Sequence, residues 1–597
     1  MKITVGIRRL FFILMYPILW FLSVVLSFYL LSIHIDFINL CLMFSILFIF
    51  RILLLNAFHL FDVSWRFVSV GEVFDLGVAL LLSELPSILV MYLVNLALNF
   101  RLIIIEFTFS TMFSATLLSL KRVYLTFRSA GGRSKGGRKA ILVGDTQRAE
   151  KFLRTLEGIS SPFFIEGIIA TDNARKGNFI RGIKIVGTPY DLTYIVRNRL
   201  YDTIYVIGDA LRINQLKNLI RECEKSNIRI RVVSIDIAYK NSSIFTVRDV
   251  DAEDLLFRGE VTISAEVIEK FINHKRVLIT GAAGSIGREL GYQVAMFTPL
   301  KLVLLDIDET EVYLLSEKLK KQFPYLDIEY YVADITNEGK INRIFTKEKI
   351  DVVFHAAAYK HVPVMERFPD EAVRVNVMGT YIIAKTCAIQ GVHSFILIST
   401  DKAVEPTSVM GATKRLAEKI VISMARDFPN TSFIVVRFGN VLGSRGSVIP
   451  IFNEQIKQGG PVTITHPDME RYFMTTKEAV LLVLEAGSVG KSGDIYVLDM
   501  GKPIKIVDLA KELIRLHGLE PDVDIMIKFT GKRPGEKLKE ELYSNEERLS
   551  KTELEKLLRL KPNGLYNFDY ETFISKISGA LSNYDEKHLR KLIQESL

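Results

Sequence analysis

The stretch RVLITGAAGSIG, residues 276–287, determines the fold class that we predict for this chain. Its apolar residues 277–279 predict a buried parallel strand, and the pattern that follows the glycines predicts a helix. These glycines allow a tight turn, a close approach of the backbone to a pyrophosphate at the helix N-terminus, and close packing of helix on strand. The dinucleotide-binding loop predicted here comprises Gly281, Ala283, Gly284, Ser285, Ile286 and Gly287.

The ends of the next predicted strands extend this cofactor site. The strand at 301–305 is followed by Asp306, at the distance expected for a carboxylate that accepts a hydrogen bond from a ribose 2′-hydroxyl. Because the same carboxylate repels a 2′-phosphate, we expect NAD rather than NADP. Two further strands, at 330–333 and 352–354, are expected to end beside the adenine and to let the protein backbone pass close to the cofactor. The residues that follow them, Asp334, Ile335, Ala356 and Ala357, complete the predicted cofactor site.

Four apolar stretches near the beginning of the chain are long enough to cross a bilayer as helices. They run roughly over residues 10–31, 37–55, 73–98 and 102–120. Lysines and arginines precede the first stretch and follow the last, whereas the loops near residues 34–36 and 99–101 carry few positive charges. The positive-inside rule therefore predicts four spans in membrane lipid, with both ends of the segment in the cytoplasm.

Ionisable side chains lie in or near these spans: Arg51, Asp75, Glu84 and Glu106. For Arg51 and Asp75 we favour side chains that reach the membrane surface from the helix ends. Glu84 either pairs with another helix or lines a polar groove, and the sequence leaves both alternatives open.

Charge and cysteine content exclude several classes of protein. The formal net charge of +9 is explained in part by the basic segment after residue 120, which would lie beside anionic lipid. Because the chain carries no nucleic-acid motif, we expect no nucleic-acid partner. The three cysteines, Cys41, Cys223 and Cys387, are too scattered for a disulfide framework or a cysteine-built metal site, and we expect no metal.

Alternating strand and helix patterns predict a smaller α/β domain between the membrane segment and the glycine loop. Its first strand ends in Gly144, and Asp145 follows at a place where a negative side chain opposes phosphate binding. We therefore expect a Rossmann-like domain that does not bind a dinucleotide and serves packing or oligomerisation. The predicted domains are 1–122, four transmembrane helices; 123–265, this α/β domain; and 266–597, the NAD-binding domain with a substrate-binding C-terminal part.

Polar residues follow the predicted strand at 395–398, at the edge where an open parallel sheet places its chemistry. They include Thr400, Asp401 and Lys402. Further along, Met410 and Lys414 stand where most short-chain dehydrogenases carry a Tyr-x-x-x-Lys helix. A thioether can neither accept nor donate the needed proton. Either the enzyme is inactive, or acid and base come from elsewhere, with Asp401 and Lys402 as the nearest candidates.

Six ordered motifs give the chain a resemblance to a known family. They are TGAAGSIG at 280–287, HAAAYKHVP at 355–363, STDKAVEPTSVMGATKR at 399–415, RFGNVLGSRGSVIP at 437–450, HPDMERYFM at 466–474 and RPGEK at 533–537. With these motifs the chain resembles the membrane-bound nucleotide-sugar 4,6-dehydratases of bacterial capsule, O-antigen and protein-glycosylation pathways, which are extended short-chain dehydrogenases/reductases. The methionine at 410 is itself a mark of the large membrane-bound branch. This resemblance implies a multi-pass protein of the bacterial inner membrane with its catalytic domains in the cytoplasm.

The same resemblance implies an NAD-dependent lyase. Its substrate would be a UDP-N-acetylhexosamine, with UDP-N-acetylglucosamine as the first candidate, and its product the UDP-4-keto-6-deoxy sugar. Asp401 would be the acid at C6 and Lys402 the base at C5. Thr400 would hydrogen-bond the C4 oxygen, and Lys414 would hold the nicotinamide ribose and add positive charge. The resemblance leaves open two further kinds of partner: other copies of this chain in a homo-oligomer, and downstream enzymes of the glycan pathway.

Residues of the remaining motifs are assigned to the substrate's diphosphate, uracil or ribose. They are Asn440, Arg445, Arg471, Arg533 and Glu536, and Lys360 could reach either ligand. His355 and His361 are expected to have core or surface roles. Two other functions stay open: a nucleotide-sugar 4-epimerase on the same fold, and a non-catalytic membrane scaffold or NAD sensor.

Overall fold

A computed structural model of the chain places most of its residues. It describes all of them except 1–4, 34–35, 59, 61–69, 95–98, 132–137, 157–162, 173–174, 209, 227, 239–241, 251–263, 445, 545–546, 562–566 and 584. The chain divides into two compact units, Met1–Gly137 and Arg138–Leu597.

The first unit consists of long apolar helices. In the described residues these are α1 (Val5–Leu30), α2 (Phe37–Ala57), α3 (Val70–Leu93) and α4 (Phe100–Gly131). All four contain a segment long and apolar enough to cross a membrane, as the sequence predicted.

Arg51 does not reach toward the membrane surface, and that prediction was wrong. The side chain is fully buried and pairs with carboxylates of two other helices. Its Nη2 lies 2.5 Å from Glu84 Oε1 and 2.6 Å from Glu106 Oε2. Glu106 also accepts hydrogen bonds from Ser23 and Ser110. Because a lone charge in an apolar bundle is very costly, pairing across helices is the physical reason for this placement.

The second unit begins with a sheet that alternates with helices. In the described residues its strand order is β3-β4-β2-β1-β5-β6-β7, with parallel pairing of β1 to β2 and β5 and antiparallel pairing of β6 to β7. The strands are β1 (Arg138–Gly144), β2 (Phe163–Ala170), β3 (Phe179–Ile180), β4 (Ile183–Gly187), β5 (Thr203–Ile207), β6 (Arg229–Ala238) and β7 (Ser242–Asp249). The helices are α5 (Thr146–Leu156), α6 (Leu192–Arg197) and α7 (Ile213–Ser226).

The turn from β1 into α5 is filled by carboxylates of the protein itself. The Thr146 backbone N–H donates to Asp172 Oδ2 at 2.9 Å, and the Arg148 N–H donates to Asp145 Oδ1 at 2.8 Å. An anionic ligand would need these donors at the helix N-terminus. The arrangement favours the prediction that this domain does not bind a dinucleotide.

A larger sheet forms the rest of the second unit. Its strand order in the described residues is β10-β9-β8-β11-β12-β13-β18-β22-β21. The strands are β8 (Arg276–Thr280), β9 (Lys301–Asp306), β10 (Asp327–Val332), β11 (Val352–His355), β12 (Ser394–Ile398), β13 (Ser432–Arg437), β18 (Ile495–Leu498), β21 (Arg548–Lys551) and β22 (Leu557–Lys561). Pairing is parallel from β10 to β18, and β22 and β21 are antiparallel.

Helices cover both faces of this sheet. They are α8 (Ala265–Ile272), α9 (Ser285–Met296), α10 (Glu309–Gln322), α11 (Glu338–Glu348), α12 (Val362–Arg367), α13 (Pro369–Ala372), α14 (Thr380–Gln390), α15 (Val409–Asp427), α17 (Thr476–Val489), α19 (Tyr570–Ser582) and α20 (Glu586–Glu595), with a π-helical segment at Val373–Gly379. Leu278 packs in the apolar core of one face, and Val277 and Ile279 pack in that of the other. The alternation is the one expected for a strand buried on both sides.

A smaller C-terminal lobe has its own apolar core. It contains α16 (Val448–Lys457), α18 (Ile506–Leu516) and the short strands β14 (Asn440–Val441), β15 (Val462–Ile464), β16 (Glu470–Arg471), β17 (Phe473–Met474), β19 (Ile504–Lys505) and β20 (Ile527–Phe529). Phe452 and Leu513 are buried in that core. Since β14 directly follows β13, the lobe begins where the larger sheet presents the carboxyl ends of its strands.

Candidate active site

The glycine loop is packed too closely for side chains at two positions. Gly281 has a φ of +67°, and a Cβ there would lie 2.6 Å from the Ala357 nitrogen. A Cβ on Gly287 would lie 2.1 Å from the Gly281 oxygen. Gly284 directly precedes α9, so the N–H groups of the first helical turn, which begins at Ser285, face outward from the loop. The loop thus forms a backbone cradle between β8 and the residues after β11, and such a cradle fits a pyrophosphate.

Asp306 is held against this loop. Its Oδ2 accepts a hydrogen bond from the Ala283 N–H at 2.8 Å, and its Oδ1 accepts one from the Asp308 N–H at 3.0 Å. At the end of the neighbouring β10, Asp334 accepts from Thr336 and Arg374. Burial alone would raise the pKa of Asp334, but these donors outweigh it and hold the pKa below its usual range.

The remaining predicted cofactor residues lie at the same edge of the sheet. Ala356 and Ala357 follow β11, and Ala356 donates its N–H to the Thr280 carbonyl at 3.1 Å. Ile335 packs against Gly379, where a Cβ would lie 2.4 Å from Ile335 Cδ1. Strand order β10-β9-β8-β11 brings all of these carboxyl ends side by side.

Asp401 is fully buried just beyond the end of β12. Its Oδ1 accepts hydrogen bonds from Thr400 Oγ1 at 2.8 Å and from Lys402 Nζ at 3.0 Å. Lys402 Nζ also donates to Asn440 Oδ1 at 3.0 Å. Asp401 Oδ2 has no hydrogen-bond partner among the described residues. The structure therefore brings four of the predicted site residues into one cluster and leaves one carboxyl oxygen of that cluster unengaged.

Backbone contacts fix this cluster in place. The Asp401 N–H donates to the Phe438 carbonyl at 3.0 Å, which ties it to the strand β13 side of the site. A Cβ on Gly411 would lie 2.3 Å from the Lys402 oxygen, and one on Gly439 would lie 3.2 Å from Asp401 Oδ2. Two glycines thus allow α15 and the start of the C-terminal lobe to approach the Asp–Lys pair.

Lys414 lies on α15 and is almost completely buried. Its Nζ donates to the Ile398 carbonyl at 2.6 Å, at the end of β12. Burial lowers the pKa of Lys414 to about 8, against the opposing effect of Glu418. Met410, one turn earlier, is buried in the apolar core, so no proton-exchanging group occupies its position.

Two groups at the site were not found from the sequence. Asn376, in the π-helical segment, accepts from the Tyr359 N–H and donates to the Tyr359 carbonyl and to Thr413, and so fixes the loop after β11. Such segments often mark functional sites, but no sequence pattern announced this one. Arg437, fully buried at the end of β13, donates to Glu418 and Glu547. A charged residue that ends an otherwise apolar strand was the available signal.

The residues predicted to contact the substrate lie in different surroundings, from backbone-bonded to exposed. Arg471 donates to the backbone carbonyls of Lys537 at 2.8 Å and Leu538 at 3.1 Å, so it holds the segment after RPGEK. Glu536 Oε2 accepts from the Arg533 N–H at 3.2 Å, and the Arg533 side chain is exposed. Lys360 is exposed in part, and burial of the remainder lowers the pKa of its amine. Arg445 lies outside the described residues.

His355 has the core role that was one of its two expected roles. It is buried and hydrogen-bonds Thr280 at 2.7 Å and Thr380 at 3.1 Å. Burial lowers its pKa to about 3, with a smaller effect from Lys414, so the imidazole is neutral at physiological pH.

Two family models match the chain. Residues 277–562 match the model described as "Polysaccharide biosynthesis protein", and residues 61–234 match the one described as "CoA-binding domain". The first contains the whole site described above, and the second contains β1 and the carboxylate-filled turn after it.

Three relatives show how far the similarity extends. The capsular polysaccharide biosynthesis protein CapD of Staphylococcus aureus is 36% identical over 543 residues, which cover 90% of each chain. The probable polysaccharide biosynthesis protein EpsC of Bacillus subtilis is 37% identical over 494 residues, 82% of each chain. A UDP-glucose 4-epimerase of Rickettsia canadensis is 34% identical over 332 residues, 54% of this chain and 94% of the relative. Because the first two relatives are more than 30% identical over 82% or more of both chains, this chain belongs to the membrane-bound polysaccharide biosynthesis protein family of CapD and EpsC.

Proposed function

We propose that this protein is an NAD-dependent 4,6-dehydratase that acts on a UDP-N-acetylhexosamine, with UDP-N-acetylglucosamine as the expected substrate. The observation that carries the proposal is the Asp401 carboxyl group. Its Oδ1 is held by Thr400 and Lys402, while Oδ2 is buried without a hydrogen-bond partner in the described part of the chain. An unsatisfied buried oxygen costs free energy, and a substrate hydroxyl at this position accounts for it.

Elimination of water needs a base that removes a proton from one carbon and an acid that protonates the hydroxyl on the neighbouring carbon. In this proposal Lys402 is the base and Asp401 is the acid. Lys402 Nζ takes the proton from C5, the electron pair forms the C5–C6 double bond, and the C6–O bond breaks. Asp401 donates its proton from Oδ2 to the departing oxygen, which leaves as water. Asn440 orients Lys402 by accepting one of its hydrogen bonds. Thr400 is proposed to contact the C4 oxygen, whose ketone form makes the C5 proton acidic.

The cofactor proposed for this site is NAD, which would supply reversible hydride transfer at C4 and C6 when bound. Gly281 and Gly287 let the loop pack tightly against the backbone of Ala357 and on itself, which supports a loop whose backbone N–H groups at the start of α9 would bind the pyrophosphate. Asp306 is held where it could bind ribose hydroxyls, and its charge disfavours a 2′-phosphate. Lys414 is proposed to hold the nicotinamide ribose. In the described residues of the smaller sheet, carboxylates occupy the N-terminus of α5, an arrangement that does not favour an anionic ligand such as CoA at that turn.

The rival function is 4-epimerisation, and the name of the Rickettsia relative favours it. An epimerase also oxidises C4, but it has no need of an acid and a base directed at C6 and C5. Asp401 and Lys402 therefore favour dehydration.

Product mass decides between these functions. Full-length protein in detergent would be incubated with NAD and UDP-N-acetylglucosamine, and the nucleotide sugar analysed by mass spectrometry. We expect a product that is lighter by one water. An unchanged mass with an altered C4 configuration would show an epimerase. Bound NAD without turnover of any UDP-N-acetylhexosamine tested would show a scaffold or sensor.

We also propose the cellular arrangement. The four helices would anchor the protein in the bacterial inner membrane, with domains 123–265 and 266–597 in the cytoplasm, where nucleotide sugars are made. The basic residues that follow the last span support this orientation. Lys360, Arg445, Arg533 and Glu536 stay predicted substrate contacts.

A further inference from the structure

We propose that Glu540 is a substrate-contact residue, which accepts a hydrogen bond from the same C6 hydroxyl that Asp401 protonates. The proposal rests on the dehydratase function proposed above. It adds a second carboxyl group to the site, contributed by a segment of the C-terminal lobe that the motifs did not single out.

The first observation is the state of the Glu540 side chain. Only 7% of the residue is exposed, and the side-chain contact found for its carboxylate in the described residues is a long ion pair. The cation paired with it is Arg471, whose Nη2 lies 3.7 Å from Glu540 Oε1, beyond hydrogen-bond distance. A largely buried carboxylate is stabilised by hydrogen-bond donors, and a ligand hydroxyl at this place would provide one.

The second observation is its electrostatic environment. The charges that act on Glu540 are Lys402, Asp401, Arg471 and Lys537. Burial is the largest effect and raises the pKa of Glu540, and the negative charge of Asp401 acts in the same direction. Glu540 pairs with Arg471, and the residue after Arg471, Tyr472, lies against Gly439 beside Asp401 Oδ2. Glu540 is therefore near the acid and the base that are proposed to act at C6 and C5.

The third observation is that its segment is anchored to the site on both sides. Arg471 donates to the carbonyls of Lys537 and Leu538, and Lys537 Nζ donates to the Val404 carbonyl at 3.0 Å, two residues after Lys402. These bonds fix the backbone up to Leu538, two residues before Glu540, in addition to the 3.7 Å contact of Glu540 with Arg471. A hydroxyl held between Asp401 Oδ2 and Glu540 would donate to one carboxyl group and accept from the other.

Binding of two nucleotide sugars tests the proposal without turnover. The probes are UDP-N-acetylglucosamine and its 6-deoxy analogue, titrated calorimetrically into full-length protein with NAD, in an Asp401→Asn background that blocks the reaction. Glu540→Gln should weaken binding of the parent sugar by about 10- to 100-fold, the range for loss of a hydrogen bond to a charged group. The same substitution should change binding of the 6-deoxy analogue by less than about twofold, because that analogue lacks the donor.

The matched control is Glu541→Gln, since Glu541 is the next residue and is exposed. It should leave both affinities unchanged. Equal weakening of the two sugars by Glu540→Gln would assign Glu540 a structural role, and unchanged binding of the parent would remove it from the site. Either result overturns the proposal. If Glu540→Gln also loses NAD binding and has therefore misfolded, Glu540→Asp replaces it in the same comparison. Failure of the dehydratase function would appear separately, in the product mass of the unaltered protein.

Discussion

At the scale of single residues, the two oxygens of the Asp401 carboxyl group have different environments. Oδ1 is fixed by a hydroxyl and an amine, and Oδ2 has no partner in the described residues. One oxygen fixes the orientation of the carboxyl group, and the other is left for a substrate. Such a group is suited to deliver a proton in a fixed direction.

Removing either proton-exchanging group should therefore slow the reaction strongly. We expect Asp401→Asn and Lys402→Met each to lower kcat by about 10²–10⁴-fold, the usual contribution of general acid–base catalysis. The double variant should lose far less than the product of the two, because both groups act on one elimination. NAD affinity, measured in parallel by calorimetry, should stay unchanged. Near-normal turnover in both single variants would remove the pair from the mechanism.

Gly439 tests how closely the site is packed. A Cβ there would lie 3.0 Å from Tyr472 Cβ and 3.2 Å from Asp401 Oδ2, so Gly439→Ala should crowd the free carboxyl oxygen and lower turnover. Gly579→Ala is the matched control, because its Cβ would meet no atom within 4 Å. In helix α19 that change should stabilise the fold by about 0.5–1 kcal/mol without affecting kcat. Equal activity of both variants would contradict the close packing inferred at Gly439.

Lys414 should make NAD binding depend on pH. Since burial lowers its pKa to about 8, the amine is charged at neutral pH and loses its proton as the pH rises through that value. Burial would raise the pKa of the neighbouring Glu418, but Arg437 holds it below its usual value, so Glu418 stays charged. His355, with a pKa of about 3, stays neutral. Neither group changes its charge in this pH range. We expect NAD affinity to fall from about pH 7 to about pH 9. Lys414→Arg should abolish this dependence, and an unchanged dependence would assign it to another group.

The sequence identified site residues whose side-chain type and motif suggest a role. It did not identify residues whose role depends on contacts between distant parts of the chain. Asp401, Lys402 and Asn440 came from motifs, and they do lie together. The contact of Arg471 with the backbone of Lys537 and Leu538 joins segments far apart in the chain, which no local pattern can report. For that reason the motifs did not point to Glu540, whereas the substrate contact predicted for Arg471 stays a prediction.

At the scale of helices and strands, length and hydrophobicity predicted the elements well but not which sides face one another. The membrane helices are mostly apolar, and only a few polar residues, such as Ser23 and Ser27 at a spacing of four, mark their inner faces. Arg51 was consequently expected at the membrane surface, whereas it lies between Glu84 and Glu106. In the larger sheet the glycine spacing and strand ends sufficed, because parallel strands place their carboxyl ends at one edge.

Arg51 should be critical for the stability of the helix bundle. Arg51→Met leaves Glu84 and Glu106 buried without their cation, and breaking a buried ion pair costs about 3–5 kcal/mol in soluble proteins. We expect a lower unfolding temperature of the full-length protein in detergent. Asp75→Asn, at an exposed acidic position of α3, should have little effect. The triple change Arg51→Met, Glu84→Leu, Glu106→Leu should recover most of the loss, and a single Arg51→Met variant as stable as the unaltered protein would contradict the argument.

At the scale of the whole molecule, the two compact units separate anchoring from chemistry. Every residue assigned to the site lies in the unit Arg138–Leu597. A chain that starts at Arg138 should therefore be soluble without detergent and retain product formation within about a factor of three of the full-length protein, judged by the same mass measurement. If that chain binds NAD and the UDP-sugar but forms no product, the membrane unit does more than anchor the enzyme.

The buried pairing of Arg437 has a consequence for the order of events during translation. Its second carboxylate partner, Glu547, is encoded 110 residues later, and it supplies two of the bonds that satisfy this guanidinium. The membrane helices leave the ribosome long before that codon is read, and domains fold in the order in which they emerge. On the proposed arrangement, insertion of these helices into the bilayer would therefore precede completion of the candidate site. On the proposed membrane arrangement, a nascent chain would be attached to the bilayer while its larger sheet still lacks the carboxylate of Glu547, and the proposed activity would first arise at the membrane.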